Sequence, residues 1–343
     1  MAFLSLAFLC FPQTAEPAHA FVELVAQPAP AFVEQPVHVT IRFGVEREFL
    51  RHNLLQLFTR QLDFPVQLEL PWENGLAGAQ PFTLDVATSG EGALVAHPSY
   101  ALGEAIERAT RSHEELRAGS TFVVLEIERG LVPLAAGTLS IPGPVLRYAF
   151  ATRFEENLAA GSVPLDKQSA VVTGAPLVLA IEALPSAGRP SGFDDAVGQF
   201  TLAAQAEPRE LEQGASLKLV LTIRGEGNLA RLQPPRLDAL EGLHLLGRTD
   251  EFHEGTRTLR AELAPDSPRT REIPAITLAF FDPDARAYRS ASTAAIPLAV
   301  KPAPRAGRVG FNAFGSTFAL LVVGALALLA LVWWIVRRSA RRI

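Results

Sequence analysis

The residues able to do chemistry are few and scattered. The histidines past the first twenty residues are His38, His52, His97, His113, His244 and His253, spread over the chain without a ligand-like cluster. His113-Glu114-Glu115 lacks the second histidine, four residues on, that completes a zinc-protease helix. No Gly-x-Ser-x-Gly elbow presents a serine nucleophile, and no lysine follows a glycine-rich loop as phosphate binding requires. Glu155-Glu156 and Asp194-Asp195 are sequence neighbours, which predicts solvated loop charges rather than an acid and a base with separated pKa values. Asp282 and Asp284 could contribute to a calcium site, but two carboxylates fall short of the about six to eight oxygens that cation takes. The single cysteine, Cys10, lies in a segment that reads as a leader, so the expected mature chain has no thiolate for catalysis, metal binding or a disulfide. No catalytic residue, cofactor or metal site is therefore expected, and a metal-dependent hydrolase ranks last among the readings.

Any site must be positioned by short strands. With 48% hydrophobic and 20% charged residues the 343-residue chain can bury a core, and its 26 prolines and 25 glycines disfavour an all-helical fold. Val37, Val39 and Ile41, and again Leu217, Leu219 and Leu221, alternate with polar residues at the period of a half-buried strand. These segments recur in order. Pro30-Ala-Phe-Val-Glu34-Gln35 matches Pro208-Arg-Glu-Leu-Glu212-Gln213 at an offset of 178 residues, and Pro133 with Pro142 matches Pro265 with Pro274 at an offset of 132. The first copy thus carries 46 extra residues between Phe43 and Phe122. Within them Phe49, Leu50, Leu54, Leu57 and Phe58 fall at helical spacing over Glu46 to Leu62, which predicts an amphipathic helix or long loop able to face a partner. The expected fold class is all-β: two immunoglobulin-like or fibronectin-like β-sandwich domains in tandem plus one C-terminal transmembrane helix. The first domain would span residues 21–185 with its insertion at 44–121, the linker 186–196, the second domain 197–303 and a further linker 304–315.

The ends of the chain place it at a membrane. Phe3 to Phe11 is apolar and Ala18-His19-Ala20 has the small-x-small form of a signal-peptidase site, so residues 1–20 read as a signal peptide. Phe318 to Val336 is uncharged over 19 residues and ends in Trp333, Trp334, Arg337 and Arg338, which predicts a span over 316–336. The clustered arginines would put the basic tail, 337–343, in the cytoplasm and the β domains on the far side of the membrane. Residues 21–303 carry 25 basic and 35 acidic side chains, an acidic surface unsuited to nucleic acid.

Several motifs in the second copy carry a resemblance. Val197-Gly198-Gln199-Phe200-Thr201, Gly225-Glu226-Gly227-Asn228-Leu229, Pro234 to Gly242, Ile273-Pro274, Phe280-Phe281-Asp282-Pro283 and Tyr288 resemble the BatD oxygen-tolerance family, whose members read VGxF, a GxGN turn, IPxI and FDPxxxxY. The likeness covers Val197 to Val300 and extends more loosely to Gly137 through Pro142 and to Leu184-Pro185, Gly188-Arg-Pro190 and Phe193. It implies a signal peptide, β domains in the periplasm and one C-terminal span of the bacterial inner membrane. It also implies partners: membrane proteins with von Willebrand factor A domains and, indirectly, a MoxR-type AAA ATPase. By residue chemistry alone, Gly225, Gly227 and Asn228 read as a turn at a strand end, and Asp282-Pro283 as a turn between strands.

The function expected is therefore a non-enzymatic interaction scaffold, linked through the resemblance to oxygen tolerance and envelope stress. The alternative is a periplasmic glycan- or peptide-binding sensor, whose aromatic platform would be Trp72 in the loop Pro71-Trp72-Glu73-Asn74-Gly75.

Overall fold

The computed structural model describes residues 19–56, 61–82, 97–157, 161–253, 255–302 and 326–334. The chain is mostly β, 59% strand against 6% helix, as the alternating pattern predicts.

In the N-terminal region, Val37–Glu46 shows why the pattern works: Val37, Val39, Ile41, Phe43 and Val45 all point into the core and are fully buried. This strand pairs antiparallel with Ala20–Gln27 on one side and Ser120–Pro133 on the other. The far side of Ser120–Pro133 takes Arg111–Arg117 and Ala79–Phe82. A second sheet runs in the order Gln168–Thr173, Val145–Phe150, Val66–Glu69, Ser99–Leu102, Ala105–Arg108. Phe43, Phe64, Leu68, Tyr100, Leu125 and Leu146 from the two sheets share one buried cluster. Gly137–Ile141, Leu177–Glu182 and Ala31–Phe32 form a small third sheet, its last pair parallel.

The C-terminal region is one six-stranded sheet with two short accessory pairs. Its order is Leu243–His253, Thr256–Pro265, Leu217–Gly227, Phe193–Glu207, Thr277–Asp282, Ala287–Ser292. Leu217, Leu219, Leu221 and Ile223 repeat the inward alternation, and their cluster includes Phe200, Leu259 and Phe280. Leu217–Gly227 sits between an opening strand, Phe193–Glu207, and Thr256–Pro265, whose hairpin partner is Leu243–His253. Val37–Glu46 sits in the same way between Ala20–Gln27 and Ser120–Pro133, whose hairpin partner is Arg111–Arg117. The parallel pair Glu210–Glu212 with Ala299–Lys301 likewise has its counterpart in Ala31–Phe32 with Leu177–Glu182.

Two expectations about boundaries need correction. Among the described residues the insertion holds a helix of six residues, Arg47–His52, in place of one over Glu46 to Leu62, and otherwise supplies the strands Leu54–Leu55, Val66–Glu69, Ala79–Phe82, Ser99–Leu102, Ala105–Arg108 and Arg111–Arg117. The linker expected over 186–196 ends earlier, because Phe193–Glu207 already starts at Phe193, whose ring meets Tyr288 edge-on at 4.9 Å.

At the ends, Ala20 opens the first strand, buried and paired with Val45, while residues 1–18 of the expected leader lie outside the described residues. Of the expected span, residues 326–334 are helical with Leu326, Leu328, Leu329, Trp333 and Trp334 exposed, and the remainder, with Arg337 and Arg338, lies outside the described residues. Among the described residues no helix is long and apolar enough to cross a membrane.

Candidate interaction surfaces

The candidate docking residues of the insertion turn inward. Phe49 stacks on His19 at a centroid distance of 4.2 Å and meets Tyr148 and Phe150, all at the edge of the N-terminal core. Leu50 and Leu54 pack on the same core, whereas Leu57 and Phe58 lie outside the described residues. The helix stops because Asn53 is tied to the neighbouring sheet: its side-chain Nδ2 donates to the Ala151 carbonyl at 2.8 Å, and Leu54–Leu55 then pairs with Val145–Phe150. A local helical period is thus overridden by strand pairing after one and a half turns.

Trp72 is not a platform. Its side chain is 1% exposed and belongs to the core cluster, with the indole Nε1 unpartnered among the described residues. The signal for this was legible: Val66, Leu68, Leu70 and Trp72 all lie on one parity, and all four are buried. Trp72 extends the inward row of its strand into the following turn.

The glycine motif also differs from its reading. Gly225 and Gly227 lie within the strand Leu217–Gly227, paired opposite Phe200 and Gly198, and not in a turn. Their φ angles, +152° and +147°, are ones that side chains avoid, and a Cβ on Gly225 would sit 1.9 Å from the Gln199 carbonyl oxygen. Glycine is needed there for close backbone approach beside the Phe200 ring. Asn228, buried, then staples the strand start: its Oδ1 accepts from the Val197 amide at 2.9 Å and its Nδ2 donates to the Asp195 carbonyl at 2.7 Å.

Asp282 is a turn residue, as the sequence suggests. Its Oδ1 accepts from the amides of Asp284 and Ala285, both at 3.1 Å, and its Oδ2 lies 3.2 Å from Arg289 Nε. Among the described residues no group of three His, Cys, Asp or Glu side chains could hold a metal ion. Ile273 is buried and pairs with Ile296, with Pro274 half-buried beside it.

The motif residues converge on a joint between the two regions. Phe32, Val197 and Phe281 form a separate buried cluster, with Leu184, Phe193 and Tyr288 packed against it. The Phe32 and Phe281 rings meet edge-on at 4.9 Å, and the Tyr288 hydroxyl donates to the Pro185 carbonyl at 2.6 Å. Around this core Arg231 binds the Glu34 carboxylate through two hydrogen bonds of 2.9 and 3.0 Å and reaches Gln80, and Arg286 binds Glu182 while lying over the Phe32 ring.

Charge is largely self-satisfied on the N-terminal sheet. Glu23, Arg42, Glu126 and Arg111 stand opposite one another across four strands, a row of alternating sign. Arg42 bonds Glu23, Glu126 and Glu115; burial alone would lower its pKa, but the Glu126 hydrogen bond and the Glu115 and Glu23 charges raise it. Tyr100 donates to Glu107 at 3.1 Å, and burial together with the Glu107 charge pushes its pKa up, so the phenol stays protonated. These groups neutralise one another.

Two sheet edges stand open. Among the described residues Arg111–Arg117 and Leu243–His253 each pair on one side only, and they carry the exposed apolar residues Leu116, Leu246 and Phe252. Sequence reasoning passed over them because an edge strand and a central strand share one local pattern.

No protein-family model matches this chain, and no curated protein matches it. Among solved structures, the crystal structure of the titin domains Z1Z2 in complex with telethonin is similar over 82% of this chain and 97% of its own, at 8% identity and a TM-score of 0.16, too low for any argument to rest on it.

Proposed function

We propose that this chain is a non-enzymatic, BatD-like scaffold: two tandem immunoglobulin-like or fibronectin-like β-sandwiches held in the periplasm by one C-terminal span of the inner membrane. Its partners would be membrane proteins with von Willebrand factor A domains and, through them, a MoxR-type ATPase. The observation that carries this reading is the joint. A buried aromatic cluster, framed by two Arg–carboxylate pairs, suits a part whose work is to hold surfaces in fixed relation. Val197, Phe281 and Tyr288, three of the residues that carry the BatD resemblance, are among those that build it.

The glycan- or peptide-sensor reading needed Trp72 on the surface, and no observation now favours it. The test of the scaffold is purification of the tagged full-length protein from crosslinked native membranes, with mass spectrometry of what accompanies it. Enrichment of von Willebrand factor A-domain membrane proteins is expected; their absence from repeated preparations would overturn the assignment.

A further inference from the structure

The edge strand Leu243–His253 is 11 residues long and exposed almost throughout, from Leu246 to His253. It is the first strand of the six-stranded sheet, so its outer backbone faces no other strand among the described residues. Such an edge is a template for pairing with another chain. Leu246, 53% exposed, and Phe252, 50% exposed, are the large apolar side chains that the described C-terminal region leaves in solvent, and both lie on this one strand. Apolar exposure confined to a sheet edge points to an interface there.

Two features exclude indiscriminate pairing. The register slips between Leu245 and Gly247, so Leu246 sits in a bulge. Arg248 and Asp250 stand opposite the buried Ala261 and Leu259, on the core-facing side of an edge that overhangs the core. Charges there repel a plain hydrophobic strand but accept one with matching charges. Asp250 is held by two bonds from Arg257, at 2.9 and 2.6 Å, whereas Arg248 makes no ion pair among the described residues.

The strand matches itself. Read outward in both directions from Thr249, it meets Arg248 and Asp250, then Gly247 and Glu251, then Leu246 and Phe252. We propose that two copies of this chain pair edge to edge and antiparallel along Leu243–His253, with Thr249 on the twofold axis. Arg248 then faces the partner's Asp250, and Leu246 faces the partner's Phe252. Arg248 gains a carboxylate across the axis, and both exposed apolar residues are covered. The pairing is isologous and closes at two copies, leaving the Arg111–Arg117 edge free for other partners.

The test uses full-length protein in native membranes, with a lone thiol placed by Thr249→Cys in a Cys10→Ser background. Facing residues of antiparallel strands have Cα atoms about 4.5–5.5 Å apart, within disulfide reach. Mild oxidation should give a disulfide-linked homodimer. His244→Cys in the same background, five positions from the axis, would put its thiols roughly 30 Å apart and should give none. Adding Arg248→Glu to the Thr249→Cys chain should slow dimer formation about tenfold without shifting the thermal melt, because it replaces an attraction by a repulsion at an exposed residue. Absence of the Thr249→Cys dimer, equal crosslinking at His244→Cys, or crosslinking of Thr249→Cys to a different protein would each overturn the pairing. The last result would leave the scaffold reading standing, whereas failure to enrich von Willebrand factor A-domain proteins would leave the pairing standing.

Discussion

The two β regions share a strand order but close their cores by different means. In the N-terminal region the insertion supplies Val66–Glu69, which pairs with Val145–Phe150, and the Ser99–Arg108 hairpin beyond it, so Trp72 and Tyr100 seal the core from within. In the C-terminal region the place beside Thr277–Asp282 is taken by the incoming strand itself: Phe193 pairs with Ala279 and Val197 with Phe281, in parallel. That pairing occurs at the joint, where Phe32 from the other region completes the cluster. One region is closed by its own extra residues, and the other is closed partly by its neighbour. The insertion is thus a lining of the core rather than an appendage, and the C-terminal region shares a closing cluster with Phe32 of its neighbour.

Substitutions can break this contrast, the largest effect coming first. Trp72→Ala should cost about 3–5 kcal/mol, because it empties a fully buried site, and should lower the thermal midpoint of the N-terminal region in calorimetry. An unchanged melt would return Trp72 to the surface. Phe281→Ala should cost about 3–4 kcal/mol and, by emptying the joint, split a single calorimetric transition into two. A single transition that merely shifts would show that the regions are coupled by other contacts.

The glycines sharpen the comparison further. Gly225→Ala should cost about 3 kcal/mol, since its φ of +152° and the Gln199 backbone oxygen leave the new methyl nowhere to go. Gly44→Ala meets chiefly the Phe21 ring edge, at 2.6 Å, with the Val123 carbonyl oxygen farther off at 3.1 Å and no positive φ, and should cost less, about 1–2 kcal/mol. Urea unfolding of the two variants measures the difference directly, and equal losses would remove the distinction between backbone and side-chain contact. Arg231→Ala should cost under about 1 kcal/mol, because its pair with Glu34 frames the joint from a half-exposed position.

Acid should affect both regions in the same sense. The Ser99 amide and hydroxyl hold the Asp63 carboxyl below its ordinary range, and the Arg257 hydrogen bond does the same for Asp250. Because both folded values are lowered, their stabilisation is present above the unfolded carboxylate value of about 3.9 and fades as pH falls through the lowered folded values. Asp63→Asn should flatten the acid limb of the N-terminal melt and Asp250→Asn that of the C-terminal melt, as thermal scans between pH 6 and pH 2 would record.

Much of the all-β architecture was legible in the chain, for a physical reason. Period-two alternation is a local property of the backbone, so Val37 to Val45 and Leu217 to Ile223 announce both strand and inward face without any partner in view. The Asp282 turn was legible in the same way, since its two amide contacts lie within three residues. The same row, followed from Val66 to Leu70, would have placed Trp72 inside. What the tertiary structure alone decided is pairing across sequence distance. Asn53 meets Ala151 and ends a helix that local spacing would have continued; Gly225 faces Phe200 and becomes a close strand contact instead of a turn; Phe32 meets Phe281 and makes a joint where composition suggested a loose linker. Spacing along the chain encodes which face a residue shows, but not which distant residue will be there to meet it.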